Sequence, residues 1–426
     1  MRSTTLRSML IFSALVAVIV CPPAWGYGDG SGRAGDPVPV TSYVGTVWGV
    51  ALGVEADGRV HVLWTGQRPT DTEFTAFYAS STDGGVTWGP LQILDTGNAF
   101  DPQIAVDDSH QIVHLVYRSN FNGIMHRTVV DGVVSEPDVV DTSVGDTTVV
   151  WPKVAVDTES GWLHALWIRN DWGSGTAVPM SVVASWDGLD WSTPVSPLGD
   201  GDGSWSAIAA GTDGSVTIAA VQNELPKIAY SADGISFGAA AFLATSYPGI
   251  ERDSWVIVEW APFDNTYHVV TTHDIQPGSS ELYHFVRNPL TGAWSSPQSL
   301  TVGSTDGWSV RPGLASVSAV PFLHISWMEE DVSGRWLQAR SSAGDTLGEI
   351  HNISDDIFNL GVDINFNNRH QYFLAADGVP HLVLGASPYL DIGVFYQRLD
   401  PPPAPPQIFV DGFESGGTSA WAVATH

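Results

Sequence analysis

Trp151-Pro152-Lys153-Val154-Ala155-Val156-Asp157-Thr158-Glu159-Ser160-Gly161-Trp162-Leu163-His164-Ala165-Leu166-Trp167 carries the phrase on which the chain is built. An aromatic- or proline-led apolar run comes first, then a turn with Asp and Gly. An apolar-His-apolar-x-aromatic run follows. Short apolar runs bounded by turn residues read as paired strands. The phrase also ends at Trp64 (W-G-V-A-L-G-V-E-A-D-G-R-V-H-V-L-W) and at Tyr117 (D-P-Q-I-A-V-D-D-S-H-Q-I-V-H-L-V-Y). Looser copies start at Trp205, Trp255, Pro312 and Tyr372.

One strand position recurs as His61, His114, His164, Thr217, His268, His324 and His381, at spacings of 53, 50, 53, 51, 56 and 57 residues. Units of this size, with helical periodicity nearly absent, predict an all-β fold. The expected architecture is a seven-bladed β-propeller of four-stranded antiparallel blades. In the second unit, strands A to D are expected at 102–106, 112–117, 124–130 and 133–140. The last unit runs out near 393–397, before a proline run. Residues 37–43 are expected to supply its fourth strand and close the ring, which removes an open sheet edge. Six histidines at one strand-B position are read as enclosed packing groups, not as a sixfold metal or catalytic site.

Both ends of the chain stand outside the repeats. Arg2 and Arg7, an apolar run over 9–20 and Ala24-Trp25-Gly26 have the order of a secretory signal peptide over 1–26. Cys21, the single cysteine, would leave with it, so core burial and not disulfides must hold the mature chain. Residues 27–36 are a flexible N-terminus and 37–399 the propeller. Residues 400–407 form a stiff proline-rich linker, and 408–426 a tail. The tail resembles the short D-G-F-E-S-G segments of secreted bacterial proteins. The expected location is extracellular or at the cell surface, as a monomer without a membrane span. Acidic residues number 46 against 17 basic ones, for a net charge of −29, and Lys153 and Lys227 are the only lysines. Such a surface repels nucleic acid and anionic lipid.

Ser81-Thr82-Asp83-Gly84-Gly85-Val86-Thr87-Trp88 reads S-x-D-x-G-x-T-W. Shortened forms surround Asp187 and Asp233 at the same place in their units. The motif resembles the Asp-box (BNR) repeat of sialidase-like propellers. That resemblance implies a structural turn between strands C and D in which Ser81, Asp83, Gly85 and Trp88 act on the fold, on the face away from the usual active site. Sialidase activity is not expected. The family's F/Y-R-I-P and early arginine clamp are absent, the nearest strings being Tyr117-Arg118-Ser119 and Val310-Arg311-Pro312. Seven units also exceed that family's six blades.

Strand A lies innermost in a propeller, so its first residue rims the central funnel. That position reads Trp48, Asp101, Trp151, Trp205, Trp255, Arg311 and His370. Indole faces stack on the apolar faces of sugar rings; the same tryptophans could instead plug the channel. Arg118, Arg169 and Arg369 add guanidiniums that could converge on an anionic group, and the B-to-C loops add Gln67-Arg68, His273-Asp274 and Glu329-Glu330-Asp331. Asp200-Gly201-Asp202-Gly203-Ser204 resembles part of a calcium loop, but lacks its glycine and distal Glu, and reads as an acidic turn. No metal or other cofactor is expected. The leading expectation is a lectin-like propeller binding a glycan or polysaccharide. One alternative is a glycan-active enzyme, a lyase or glycosidase, with His370 or His273, Tyr372, Arg311 and Arg369 near the reacting sugar. The other is an extracellular protein-interaction scaffold.

Overall fold

The computed structural model describes residues 38–40, 46–119, 123–142, 147–157, 159–171, 176–184, 190–199, 203–243, 253–276, 279–301, 308–316, 321–331, 334–343, 346–352, 371–374, 380–385 and 394–398. The chain divides into residues 1–33 and 34–426, and all described strands belong to the second part. Among the described residues every regular element is a β-strand.

Within each unit, neighbours in the chain are neighbours in the sheet. Thr46–Val54, Val60–Gln67, Thr75–Ser81 and Gln92–Asp95 pair in that order, antiparallel throughout. The second unit repeats this with Phe100–Asp107, Ile112–Ser119 and Gly123–Val130. Its outer strand is not the continuous 133–140 expected. Val133–Val134 and Asp138–Thr142 pair separately with Gly123–Val130. Pro137 falls in the gap, where it offers the ladder no N–H.

Seven separate four-stranded sheets are not what the described strands make. They form six sheets, five of them with four strands or more. The third unit shows three strands, Thr147–Val156, Leu163–Asp171 and Thr176–Ala184. The fifth and sixth units merge into one nine-stranded sheet through a single parallel pair, Ser280 with Trp308. The cause is a short outer strand. Gln298–Ser299 covers only Tyr283 and His284, so the start of Ser279–Val286 keeps an open edge. In the last sheet Gln371–Leu374, Pro380–Gly385 and Val394–Arg398 are followed by Val38–Pro39, with Val38 opposite Tyr396 and Pro39 opposite Phe395.

The core lies between sheets. Strand-B residues alternate direction, as strand geometry requires. Trp64 packs with Val383 and Val394 of the last unit, whereas its neighbour Leu63 packs with Leu115 and Tyr117 of the second. Val116 then joins Trp167 of the third unit, and Leu166 joins Ile218 of the fourth. The aromatic closing each phrase thus packs backwards, and Trp64, Trp167 and Trp327 are completely buried. Strands read as continuous apolar runs because both faces are covered. The innermost strands approach each other closely. A Cβ on Gly53 would lie 2.6 Å from Ile104 Cγ2, so glycine is required there. Strand A of each unit touches strand A of the next, and Gln371–Leu374 touches both Trp308–Ala315 and Thr46–Val54.

Candidate functional site

Strand A breaks its pairing register near its start in six units. The breaks fall between Val47 and Gly49, Phe100 and Gln103, Val150 and Lys153, Ser204 and Ser206, Asp253 and Trp255, and Val310 and Gly313. An extra residue in one strand bends it and re-aims a side chain. The residues set out of the ladder are Trp48, Asp101, Trp151, Trp205, Ser254 and Arg311, with Pro102, Pro152 and Pro312 following in three units. In the fifth unit the bulge residue is Ser254, and Trp255 has already rejoined the ladder opposite Thr272. Proline suits the position because its missing N–H lies where the ladder is already broken.

The bulges are conformationally costly. Asp101, Trp151 and Trp205 have φ of 52°, 54° and 42°, in the left-handed region that bulky L-residues avoid. Each costs about 1–3 kcal/mol and persists only where its surroundings over-determine it.

Three of the expected rim residues come together. Trp151 stacks on Trp205 at 5.6 Å between ring centroids and 16° between planes, and Trp205 lies 3.6 Å from Trp255. Trp205 therefore meets two indoles, the second tilted by 34°. All three rings are half-buried. Trp48 belongs to another cluster. It meets Phe74 and Phe100 edge-on at 5.6 and 5.8 Å and stays 50% exposed.

The described arginines do not converge. Arg118 lies beside Phe100, which it faces across the ladder, with Nε 3.3 Å from Asp101 Oδ2 and its guanidinium 4.7 Å from the Phe100 ring. Both members of that ion pair are buried, so Asp101 and Arg118 are not open ligand groups. Arg169 donates to Asp141 Oδ2 at 2.7 Å. Arg68 donates from Nε and from its terminal nitrogen to Asp71, at 2.7 and 3.1 Å, which holds the Asp71 carboxyl below its usual range. His273 and Glu329 are likewise enclosed at this end of strand B, with Trp327 Nε1 donating to Glu329 at 3.1 Å. For Arg311 the structure describes the backbone alone. Arg369, His370, Asp187, Asp200 and Asp202 lie outside the described residues.

The turn at 81–88 sits between strands C and D, at the other end of its sheet. Asp83 accepts from Thr87 N at 2.8 Å, Thr87 Oγ1 at 2.5 Å and Ser81 Oγ at 2.7 Å, and these bonds hold its carboxyl down at about 2. Ser81 Oγ in turn accepts from Gly85 N at 2.8 Å, and Gly84 and Gly85 both take positive φ. Asp233 accepts from Ile235 N, Ser236 N and Ser231 Oγ in the same manner. Trp88 packs on the Trp64 cluster.

Sequence reasoning missed Glu259, a lone acid inside the apolar strand Asp253–Ala261. Part of it remains accessible, yet protein surrounds its carboxyl, and desolvation pushes the group up to about 8 against a hydrogen bond from the Ser316 backbone. Its carboxyl meets the backbone at the end of strand A of the sixth unit. The bulge itself was also missed, although the W-P, D-P and R-P pairs at three strand starts were its signal.

Among the described residues no cluster of three or more His, Cys, Asp or Glu could hold a metal, and no helix is long and apolar enough to cross a membrane. No protein-family model and no curated protein matches the sequence. Solved structures do match. A fungal alcohol oxidase of the AA5 family, in complex with copper, aligns at 13% identity and TM-score 0.55, over 87% of this chain and 76% of that one. A PL25 ulvan lyase bound to -[GlcA(1-4)Rha3S]- aligns at 11% identity and TM-score 0.53, over 86% and 96%. The NanB sialidase of Streptococcus pneumoniae aligns at 9% identity and TM-score 0.50, over 86% and 70%. At such identities the likeness is one of fold, and the fold is a β-propeller with antiparallel blades.

Proposed function

We propose that this chain is a secreted, lectin-like β-propeller that binds glycan on the face where the strand-A bulges gather. The observation that carries the reading is the recurrence of the bulge, with Trp48, Trp151 and Trp205 set out of the ladder and the latter two held in a disfavoured conformation. Strain retained in register at one end of several sheets is characteristic of a functional face. Half-exposed aromatics there supply apolar area for sugar rings. In this reading the repeats make a seven-unit ring closed by Val38–Pro39, supported by the contacts from Gln371–Leu374 to the strands A on either side. The turns at Asp83 and Asp233 are its Asp-boxes, and no cofactor is needed.

A glycan-active enzyme is the second reading, favoured by the fold shared with a polysaccharide lyase and an oxidase. The test uses the full mature chain on glycan arrays, with reducing-sugar and unsaturated-uronate assays in parallel. Binding without turnover, weakened by changing a bulge tryptophan, is the expected result. Product release favours the enzyme. Silence in both assays, with capture of an envelope protein, would transfer the face to a protein partner.

A further inference from the structure

We infer that the ligand of the bulge face is a neutral polysaccharide, one whose rings present a continuous C–H face, and that Trp48 is its stacking residue. The inference rests on the glycan-binding reading above and narrows it to a substrate class.

Geometry selects Trp48. Trp205 has both Trp151 and Trp255 against it and is half-buried, so less of its ring is open to a sugar than of Trp48. Among the described residues Trp48 has no parallel neighbour. Its contacts with Phe74 and Phe100 are T-shaped, at 62° and 82° between planes, and fix the indole while half its surface stays open. A ring held in place and already partly desolvated loses little freedom on binding.

Charge selects neutrality. The three arginines at this end whose side chains are described each face a carboxylate: Arg68 with Asp71, Arg118 with Asp101, Arg169 with Asp141. At these three arginines an anionic sugar would compete with a carboxylate already in place. It would also approach through the field of a chain carrying a net charge of −29. A neutral ring meets neither obstacle, and its hydroxyls can donate to carboxylates such as Asp141.

Affinity electrophoresis of the full mature chain in gels containing laminarin or xyloglucan, against polygalacturonate or alginate, tests the inference. Retardation in a neutral gel is expected, unchanged between low and high salt. Trp48→Ala should weaken it at least about tenfold and Trp48→Phe far less, with urea unfolding showing both variants folded. Asp141→Asn frees the Arg169 guanidinium and should create salt-sensitive retardation by the anionic gels. Salt-sensitive retardation of the unaltered chain by an anionic gel overturns the neutral assignment while leaving the glycan reading in place. Retardation in a neutral gel that survives Trp48→Ala removes Trp48 from it. Retardation in no gel overturns both inference and reading.

Discussion

His61 shows why one residue type recurs in strand B. Its Nε2 donates to Glu55 Oε1 at 2.6 Å, and its Nδ1 accepts from the Tyr78 hydroxyl at 2.6 Å. Burial holds that phenol up at about 12, so it stays a donor. The imidazole thereby ties the A-to-B turn to strand C. His268 does the same with Asp264 and with His284, whose Nε2 lies 2.9 Å from its Nδ1. In the second unit His114 and His126 pair at 3.0 Å. His164 reaches the next unit, lying 2.7 Å from where a Cβ on Gly234 would stand. Desolvation holds His114, His284 and His324 down at about 3 and His164 at about 4, against 6.5 for a free imidazole. The unfolded chain therefore binds protons that the fold refuses. This stabilising contribution is whole above pH 6.5 and is lost as pH falls towards 4 and below, by up to about 1.4 kcal/mol per pH unit for each histidine. Urea midpoints should fall steeply between pH 6.5 and 4, and His324→Leu should flatten that slope. A parent profile that is level over this range would refute the role given to the buried imidazoles.

At the scale of the element, the bulge gives strand A two functions. Beyond it, the strand pairs regularly and packs against its neighbours. Before it, the chain turns its side chain out of the ladder. The Trp151, Trp205 and Trp255 stack links three consecutive units at this point, and each aromatic contact adds about 0.5–1.5 kcal/mol beyond buried area. Trp205→Ala removes two such contacts at once. It should cost about 1–3 kcal/mol in urea unfolding and abolish the exciton couplet of stacked indoles in far-ultraviolet circular dichroism. Trp48→Ala also loses two edge contacts, but half of that ring is already in water, so it should cost less and leave the couplet intact. Equal costs for the two changes would show that exposure and stacking do not divide the tryptophans as described.

For the whole molecule, the decisive feature is that every sheet needs a neighbour on both faces. Among the described residues, clusters join units one to two, two to three, three to four, four to five and five to six, and the last unit to the first, so strand B of the first five units is covered on both sides. Val38–Pro39 and the bond from Val40 N to the Val394 carbonyl secure the edge of Val394–Arg398. Removing residues 27–40 should expose that edge, lower the melting temperature and promote association, because unpaired strand edges recruit other chains. A truncated chain that melts like the parent and stays dispersed would exclude these residues as the closing element.

Strand character, the spacing of the units and the enclosed histidines were legible in the chain itself, because they follow from period-two alternation and from apolar runs too continuous for a half-exposed sheet. Trp64 and Leu63 could be read as buried, but not as facing opposite neighbours, since that depends on which sheets flank the strand. The turn at Ser81–Trp88 was legible because its hydrogen bonds are local, running from Asp83 to residues two and four positions away. The merging of the fifth and sixth units was not, because it depends on how far Gln298–Ser299 extends along Ser279–Val286. The start of strand A was half legible. Trp48, Asp101, Trp151 and Trp205 were placed near the start of strand A by counting, but counting cannot show that Trp205 meets two other indoles, that Asp101 pairs with Arg118, or that Trp48 keeps half its surface in water. Those facts arise between residues about fifty positions apart or on different strands, where only the packing of one sheet against the next brings the groups together.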